Sequence, residues 1–273
     1  MCIRLQKGFS LIELIIVITI IGVLSTVTTA IIDMPVRAYI DNSRRADLTD
    51  AADRTIQRLK RDIRRALPNS IRISENKNTI EFLPIVDGGR YRAHLDLSTE
   101  AAAGDQLLIN EIDDRFDVLG HLKTKNDITL GEDRLVIYPL NSPGHNTYHG
   151  DNTTPVNAIL TDDAGEKIVF EPFIFPAASP MQRFFVISSP ITYHCDLDNS
   201  HLLRFSNYAT TENITVPRSE YGEIQADLIT ACRFSYQVGT STKLALVLIE
   251  LTLRNQQGES VTLMHQVHLA NQP

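Results

Sequence analysis

The chain has 273 residues, 26 of them Lys or Arg and 33 Asp or Glu, for a net charge of −7. That acidic balance argues against bulk binding to nucleic acid or to anionic lipid. Tryptophan is absent, which weakens the case for an aromatic carbohydrate platform.

Arg4 and Lys7 stand ahead of an apolar run, Phe9–Ile32, that is interrupted by a single charge, Glu13. An acid near the centre of a membrane helix costs roughly 2.5 to 3.5 kcal/mol, so it implies a purpose. The run of 24 residues is long enough, as a helix, to cross a bilayer. The hydroxyls of Ser25, Thr26, Thr28 and Thr29 can bond back to its carbonyls. A secretory signal would place its junction after the apolar region, among small residues. Here the plausible junction, Gly8–Phe9, comes before it, so cutting there removes the cationic leader and keeps the apolar segment. Arg4 and Lys7 place that leader on the cytoplasmic side.

The stretch Lys7-Gly8-Phe9-Ser10-Leu11-Ile12-Glu13 followed by this run resembles a type IV prepilin signal. The resemblance implies that Gly8 precedes the scissile bond and that Phe9 becomes the N-methylated N-terminus. Glu13 would be the fifth mature residue, meeting the terminal ammonium of a neighbouring filament subunit, a cation such a carboxylate needs in an apolar bundle. Gly22 falls where the family often has glycine, whereas Ala30 stands where many pilins have proline, and the nearest proline is Pro35. The competing reading is an ordinary uncleaved anchor. The partners implied are a prepilin peptidase and methylase, other major and minor pilins, and an inner-membrane assembly platform. The implied location is the bacterial inner membrane, single-pass with a periplasmic C-terminal domain, and then the pilus. Losing Arg4 and Lys7 leaves 24 basic against 33 acidic side chains, or −9. Cys2 would leave with the leader, and Cys195 and Cys232 would reach an oxidising compartment, where a disulfide between them is expected. Two free buried thiols are the alternative.

From residue 35 to 68 the pattern stays helical, with Ala52, Ile56, Leu59, Ile63 and Ala66 at steps of four and three. Arg54, Arg58, Lys60, Arg61, Arg64 and Arg65 lie between them; a solvated face or contacts to other fibre subunits account for these better than nucleic acid does. Asp50 with Arg54, and Arg58 with Asp62, are spaced as i,i+4 pairs. Pro68-Asn69-Ser70 ends the helix. Thr79–Val86 and Tyr91–Leu97 read as a hairpin around Asp87-Gly88-Gly89-Arg90. Further strands are expected at Arg134–Leu140, Lys167–Phe175, Arg183–Ser188, Ile191–Asp196, Leu202–Phe205 and Ala231–Val238. Leu244–Arg254 and Ser260–Leu269 form a long hairpin about Asn255–Gly258. Ala101–Asp105, Ser142–Thr154 and Pro176–Pro180 read as loops, and Asp162–Gly165 as a β-turn.

Signals of chemistry are poor. His145 and His149, with Asp151 following, have a metal-ligand spacing but sit in a polar loop, where a solvated turn is the better account. His265 and His268 are three apart on one strand and face opposite sides of a sheet. Asp196-Leu197-Asp198-Asn199 clusters oxygen ligands as a calcium loop would. No nucleophile-elbow or phosphate-loop motif occurs, so no catalytic residue, cofactor or metal is assigned. The expected fold is α+β and type IV pilin-like: leader 1–8, membrane or filament-core helix 9–34, amphipathic continuation 35–68, and an antiparallel β-rich domain 69–273. The domain's size and long polar loops resemble minor rather than major pilins. The contexts Tyr193-His194-Cys195-Asp196 and Ala231–Tyr236, with the ending His265–Pro273, look most like the minor pilins of the mannose-sensitive haemagglutinin pilus. The minor pseudopilins of type II secretion and a tip adhesin are the alternatives.

Overall fold

The computed structural model describes residues 9–95, 104–140, 142–162, 165–239 and 244–269; within its helix the side chains of residues 26–33 are outside that description. The leader with Arg4, Lys7 and Gly8 also lies outside the described residues, as do Leu97, Ala101–Ala103 and Asp163 from the expected hairpin, loop and turn. The elements in chain order are α1 (Leu11–Arg64), β1 (Arg72–Ile73), β2 (Thr79–Phe82), β3 (Ile85–Arg90), β4 (Ile112–Val118), β5 (Arg134–Ile137), β6 (Thr153–Asp162), β7 (Gly165–Ile174), β8 (Arg183–Ile187), β9 (Ile191–Asp196), β10 (His201–Phe205), β11 (Glu223–Ala226), β12 (Ile229–Gln237), β13 (Ala245–Arg254) and β14 (Ser260–Leu269). The fold is thus α+β, an N-terminal helix followed by antiparallel sheets. The chain divides into two compact units, Met1–Asp50 and Ala51–Pro273.

In the first unit, α1 passes through Ala30 and Pro35 without a break in its helical assignment. Pro35 lies inside the helix and removes one backbone donor there.

In the second unit, the last turns of α1 bury Ala52, Ile56, Leu59 and Ile63 completely or nearly so, and Ala66 and Leu67 continue the buried face. The helix tightens at its end, where the Arg65 and Ala66 amides reach back three residues to Asp62 and Ile63. Pro68 and the left-handed Asn69 (φ 61°) then turn the chain away. The expected Arg58–Asp62 pair does not form. Asp62 instead accepts from Tyr193 and Arg204, while Arg58 donates to Gln225. These longer-range partners are held by the sheet, whereas an exposed i,i+4 pair is worth only a few tenths of a kcal/mol.

Three sheets carry the strands. One has the order β1-β2-β9-β10-β11 and a second the order β12-β13-β14. The third, β3-β8-β5-β6-β7-β4, is wholly contained between β2 and β9, which pair with each other. Residues 85–187 are therefore a domain-sized excursion out of one sheet. This excursion closes on itself, because Tyr91 bridges Val118 and the Arg92 and Leu119 amides donate to Asp117 and Arg90 at 3.0 and 2.8 Å. This brings the two end strands of the order, β3 and β4, together at one end. Its interior is aromatic: Phe116 meets Tyr91, Phe170 and Phe184 at centroid distances of 6.0, 5.9 and 5.2 Å.

Among the described residues the hairpin expected over 79–97 does not form. Asp87–Arg90 is not a turn but part of β3, which pairs with β8, while β2 pairs with β1 and β9. The glycines serve close approach. A Cβ at Gly88 would lie 3.0 Å from the Phe184 carbonyl, and one at Gly89 would lie 3.0 Å from the Phe184 ring. The strands β4 and β6, unforeseen from sequence, complete the barrel. The final hairpin is found as expected, with Ala245, Val247, Ile249, Leu251 and Leu253 buried on one face of β13.

Candidate functional site

The N-terminal segment is organised by Ser10. Its hydroxyl accepts the Glu13 amide at 3.3 Å, and its carbonyl accepts the Glu13 and Leu14 amides at 3.1 and 3.2 Å. Ser10 thus caps α1, satisfying donors that the first turn leaves unpaired. Glu13 lies in that first turn, where the helix dipole favours a carboxylate. Ser10-Leu11-Ile12-Glu13 carries the Ser-x-x-Glu pattern, the local signal in the sequence for this cap. Phe9 precedes the cap and is exposed.

From Leu11 to Leu24 every large apolar side chain is exposed, on all faces of the helix. A helix apolar all round needs lipid or other apolar helices about it. Its hydroxyls are internally satisfied: Thr19 donates to the Ile15 and Ile16 carbonyls, and Ser25 donates to Ile21 at 2.7 Å. Apart from the adjacent backbone of the helix, a Cβ at Gly22 would meet nothing within 4 Å among the described residues, so no described contact requires glycine there. Thr26, Thr28 and Thr29 have side chains outside the described residues, and among the described residues no helix is long and apolar enough to cross a membrane.

Cys195 on β9 and Cys232 on β12 are joined in a disulfide, with Cα atoms 6.3 Å apart. β9 and β12 belong to different sheets, so the bond staples the five-stranded sheet to the three-stranded one.

The polar loop at residues 142–154 is tied down rather than free. Asp151 accepts the Asn146 amide at 2.9 Å, Asn146 accepts the Tyr148 amide, and Gly150 takes the left-handed conformation. Tyr148 packs under the Arg72 guanidinium, 3.6 Å from its ring centroid, and donates to the Ser70 carbonyl at 2.9 Å. Burial, with Glu81 nearby, pushes the Tyr148 phenol well up, so it stays a donor. Arg72 also pairs with the fully buried Glu81, whose other oxygen accepts from Tyr208 and Thr192 at 2.9 and 3.2 Å. Beside this network runs a groove of about 490 Å³ lined by Arg134, Tyr148, His149, Ser188 and Asn207.

The ligand candidates do not converge. His145 stacks edge-on with Tyr138 and has a buried Nδ1 with no hydrogen-bond partner among the described residues, while His149 lies 3.6 Å from Glu212. Both Asp196 oxygens are taken by Asn199, at 3.1 and 2.8 Å. His265 points to the half-buried side of β14 and His268 to the exposed side. Among the described residues no group of three or more His, Cys, Asp or Glu could hold a metal ion.

Residues 3–29 match the family described as the prokaryotic N-terminal methylation motif. No curated protein and no solved structure matches the chain. The motif supports a type IV pilin- or pseudopilin-like subunit and points to a structural component rather than an enzyme. It implies processing by a prepilin peptidase, assembly with other pilins, and membrane and pilus localisation.

Proposed function

We infer that the protein is a minor pilin, used in few copies to start or complete a type IV pilus near its tip. The observation that carries this reading is the methylation motif at residues 3–29 leading into a capped helix that is apolar on every face. In this reading a peptidase cuts between Gly8 and Phe9, Phe9 is N-methylated, and residues 9–34 leave the inner membrane for the filament core. There Glu13 meets the terminal ammonium of a neighbour. The assembly platform and other pilins are its partners. The remaining boundaries are the amphipathic turns to residue 68 and a periplasmic domain over 69–273. The barrel at residues 85–187 supports a low-copy role, since such bulk would crowd a lattice repeated along a whole fibre. Among minor pilins the cysteine contexts and the C-terminal segment are most similar to MshO of the mannose-sensitive haemagglutinin pilus; a minor pseudopilin of type II secretion is the alternative.

A tip adhesin is the second reading, favoured by the polar groove beside Tyr148 and His149. Intact-mass and N-terminal peptide mass spectrometry of membranes and sheared fibres tests the main reading. A chain beginning at N-methylated Phe9, present in fibres at low stoichiometry, is the expected result. A chain still carrying its leader, in membranes alone despite an active prepilin peptidase, would refute it.

A further inference from the structure

Arg54, Arg58 and Arg61 recur at steps of four and three on the face of α1 opposite the buried Ala52-Ile56-Leu59-Ile63 stripe, and Arg65 extends the row just past the helix end. All four are exposed, and among the described residues no carboxylate lies within ion-pair distance of any of them. Arg61 lies in the last turn, where the helix dipole accounts for a cation. Arg54 and Arg58 lie too far from the C-terminus for that explanation, since the effect fades within the last turn. They are unneutralised cations on a chain with an excess of acid.

The surface beside them is concave. Arg54 and Arg58 flank a groove of about 340 Å³ whose other wall is the β11–β12 connection, with Ala226, Leu228 and Leu253 as its apolar part. Asp227 also lines it and lies 3.5 Å from His201. Two features make this groove look built. Gln225 on β11 accepts from Arg58 and so orders its guanidinium in advance. Leu228 is held at φ 65°, a conformation that a bulky L-residue rarely adopts, with its side chain 38% exposed at the groove. The Ile229 amide bonded to Ser200 and the Arg254 amide bonded to Leu228 hold it there.

We propose that this groove docks an acidic helical segment of a different fibre subunit. Two carboxylates one turn apart would meet Arg54 and Arg58, and an apolar side chain between them would cover Leu228. The spacing follows from the arginines, which are themselves one turn apart on a helix. Arginine is enriched among interface hot spots, and Arg58 is already ordered by Gln225. The acidic remainder of the chain opposes a long polyanion such as nucleic acid, and it opposes an anionic membrane surface. The choice of a fibre subunit rests on the function proposed above.

The test uses the full-length protein in fibre-forming cells. R54E/R58E is compared with R64E, which alters another exposed arginine of the same helix off the stripe, and formation of the Cys195–Cys232 disulfide reports folding. The expected result is that R54E/R58E folds but falls roughly tenfold or more in sheared fibres, as expected for weakened docking, while R64E enters normally. A benzophenone amino acid at position 228 then crosslinks to an acidic segment of another fibre subunit. Normal incorporation of R54E/R58E beside wild type overturns the docking site and leaves the fibre reading intact. Crosslinking to a second copy, to lipid or to nucleic acid overturns it as well. Absence of even the wild-type chain from fibres removes the fibre reading itself.

Discussion

The Asp62 carboxylate on α1 accepts from the Arg204 guanidinium on β10 at 3.0 Å, and the same oxygen accepts the Tyr193 hydroxyl at 2.7 Å. One helical acid therefore fixes two strands of the five-stranded sheet. Burial pushes the Tyr193 phenol far up, and Asp62 pushes it in the same direction. Burial alone would lower the Arg204 value, but the bond to Asp62 together with the charges of Tyr193, Asp62 and Glu223 makes the net shift upward. Among the described residues, Asp62→Ala leaves the Tyr193 phenol without its acceptor and leaves the Arg204 guanidinium only Ser206 and the exposed Glu223. The expected cost is about 2–4 kcal/mol, read as a lower midpoint in denaturant at unchanged slope. A loss below about 0.5 kcal/mol would show the contact to be worth no more than a surface pair.

The Cys195–Cys232 bond spans 37 positions of sequence and links two sheets that share no ladder between β9 and β12. In the chain-entropy account a loop of that size contributes about 4 kcal/mol. Cys232→Ser is expected to lower stability by about that amount, and adding reductant is expected to do nothing further to the variant. Unfolding curves of wild type and C232S, with and without reductant, check both statements. An equal response of the two proteins to reductant would mean that the bond does not form in the cell.

Legibility in the sequence followed the strength of local periodicity. The Ala52-Ile56-Leu59-Ile63 stripe and the alternation of β13 each bury one face against a neighbour, so pattern and packing agree. The barrel was obscure because its strands are specified by long-range contact. β4 begins Ile112-Asp113-Asp114, which reads as a turn, yet Asp113 is accepting the Leu108 amide at 2.8 Å. β6 contains Pro155, which argues against a central strand, but Pro155 stands opposite Arg134 and the backbone pairing resumes beside it, where the Val156 amide donates to the Asp133 carbonyl at 2.9 Å. Gly88 and Gly89 signal a turn to any local rule, and only the approach of Phe184 explains them. At the N-terminus the motif was plain, whereas the groove beside Arg58 needs Gln225 and Leu228, far away in sequence, and no local pattern joins them.

Acid should destabilise the domain in two windows. Burial lowers the values of His194 and His265, and for His265 the cations Lys60 and Arg64 add to this while Asp53 opposes it. The unfolded chain then binds more protons than the folded one just below the ordinary histidine value near 6.5, so stability falls as pH drops through that range. Glu166 is held low by Lys125 and by the Leu122 amide, so its contribution is complete above the ordinary glutamate value and disappears as pH falls through the folded one. Unfolding midpoints between pH 8 and pH 3 are expected to show both declines. H265Q should flatten the first and E166Q the second, and an unchanged profile in either variant would remove that residue from the account.

Gly22 separates folding from assembly. Beyond the adjacent backbone of the helix, no described atom lies within 4 Å of where its Cβ would be, and its neighbours Ile21 and Val23 are exposed. Within a helix, replacing glycine by leucine removes a propensity penalty of nearly 1 kcal/mol, so G22L should fold at least as well as wild type. A bundle sets the opposite requirement, because small residues let helix backbones approach closely and a leucine holds them apart. G22L is therefore expected to be processed at Gly8–Phe9, to form its disulfide, and yet to be reduced in sheared fibres. G22A should lie between the two, since one methyl occupies less of the gap. Quantitative mass spectrometry of membrane and fibre fractions from the three strains measures this directly. Equal partitioning of wild type and G22L would mean that α1 does not pack closely through Gly22 in the fibre.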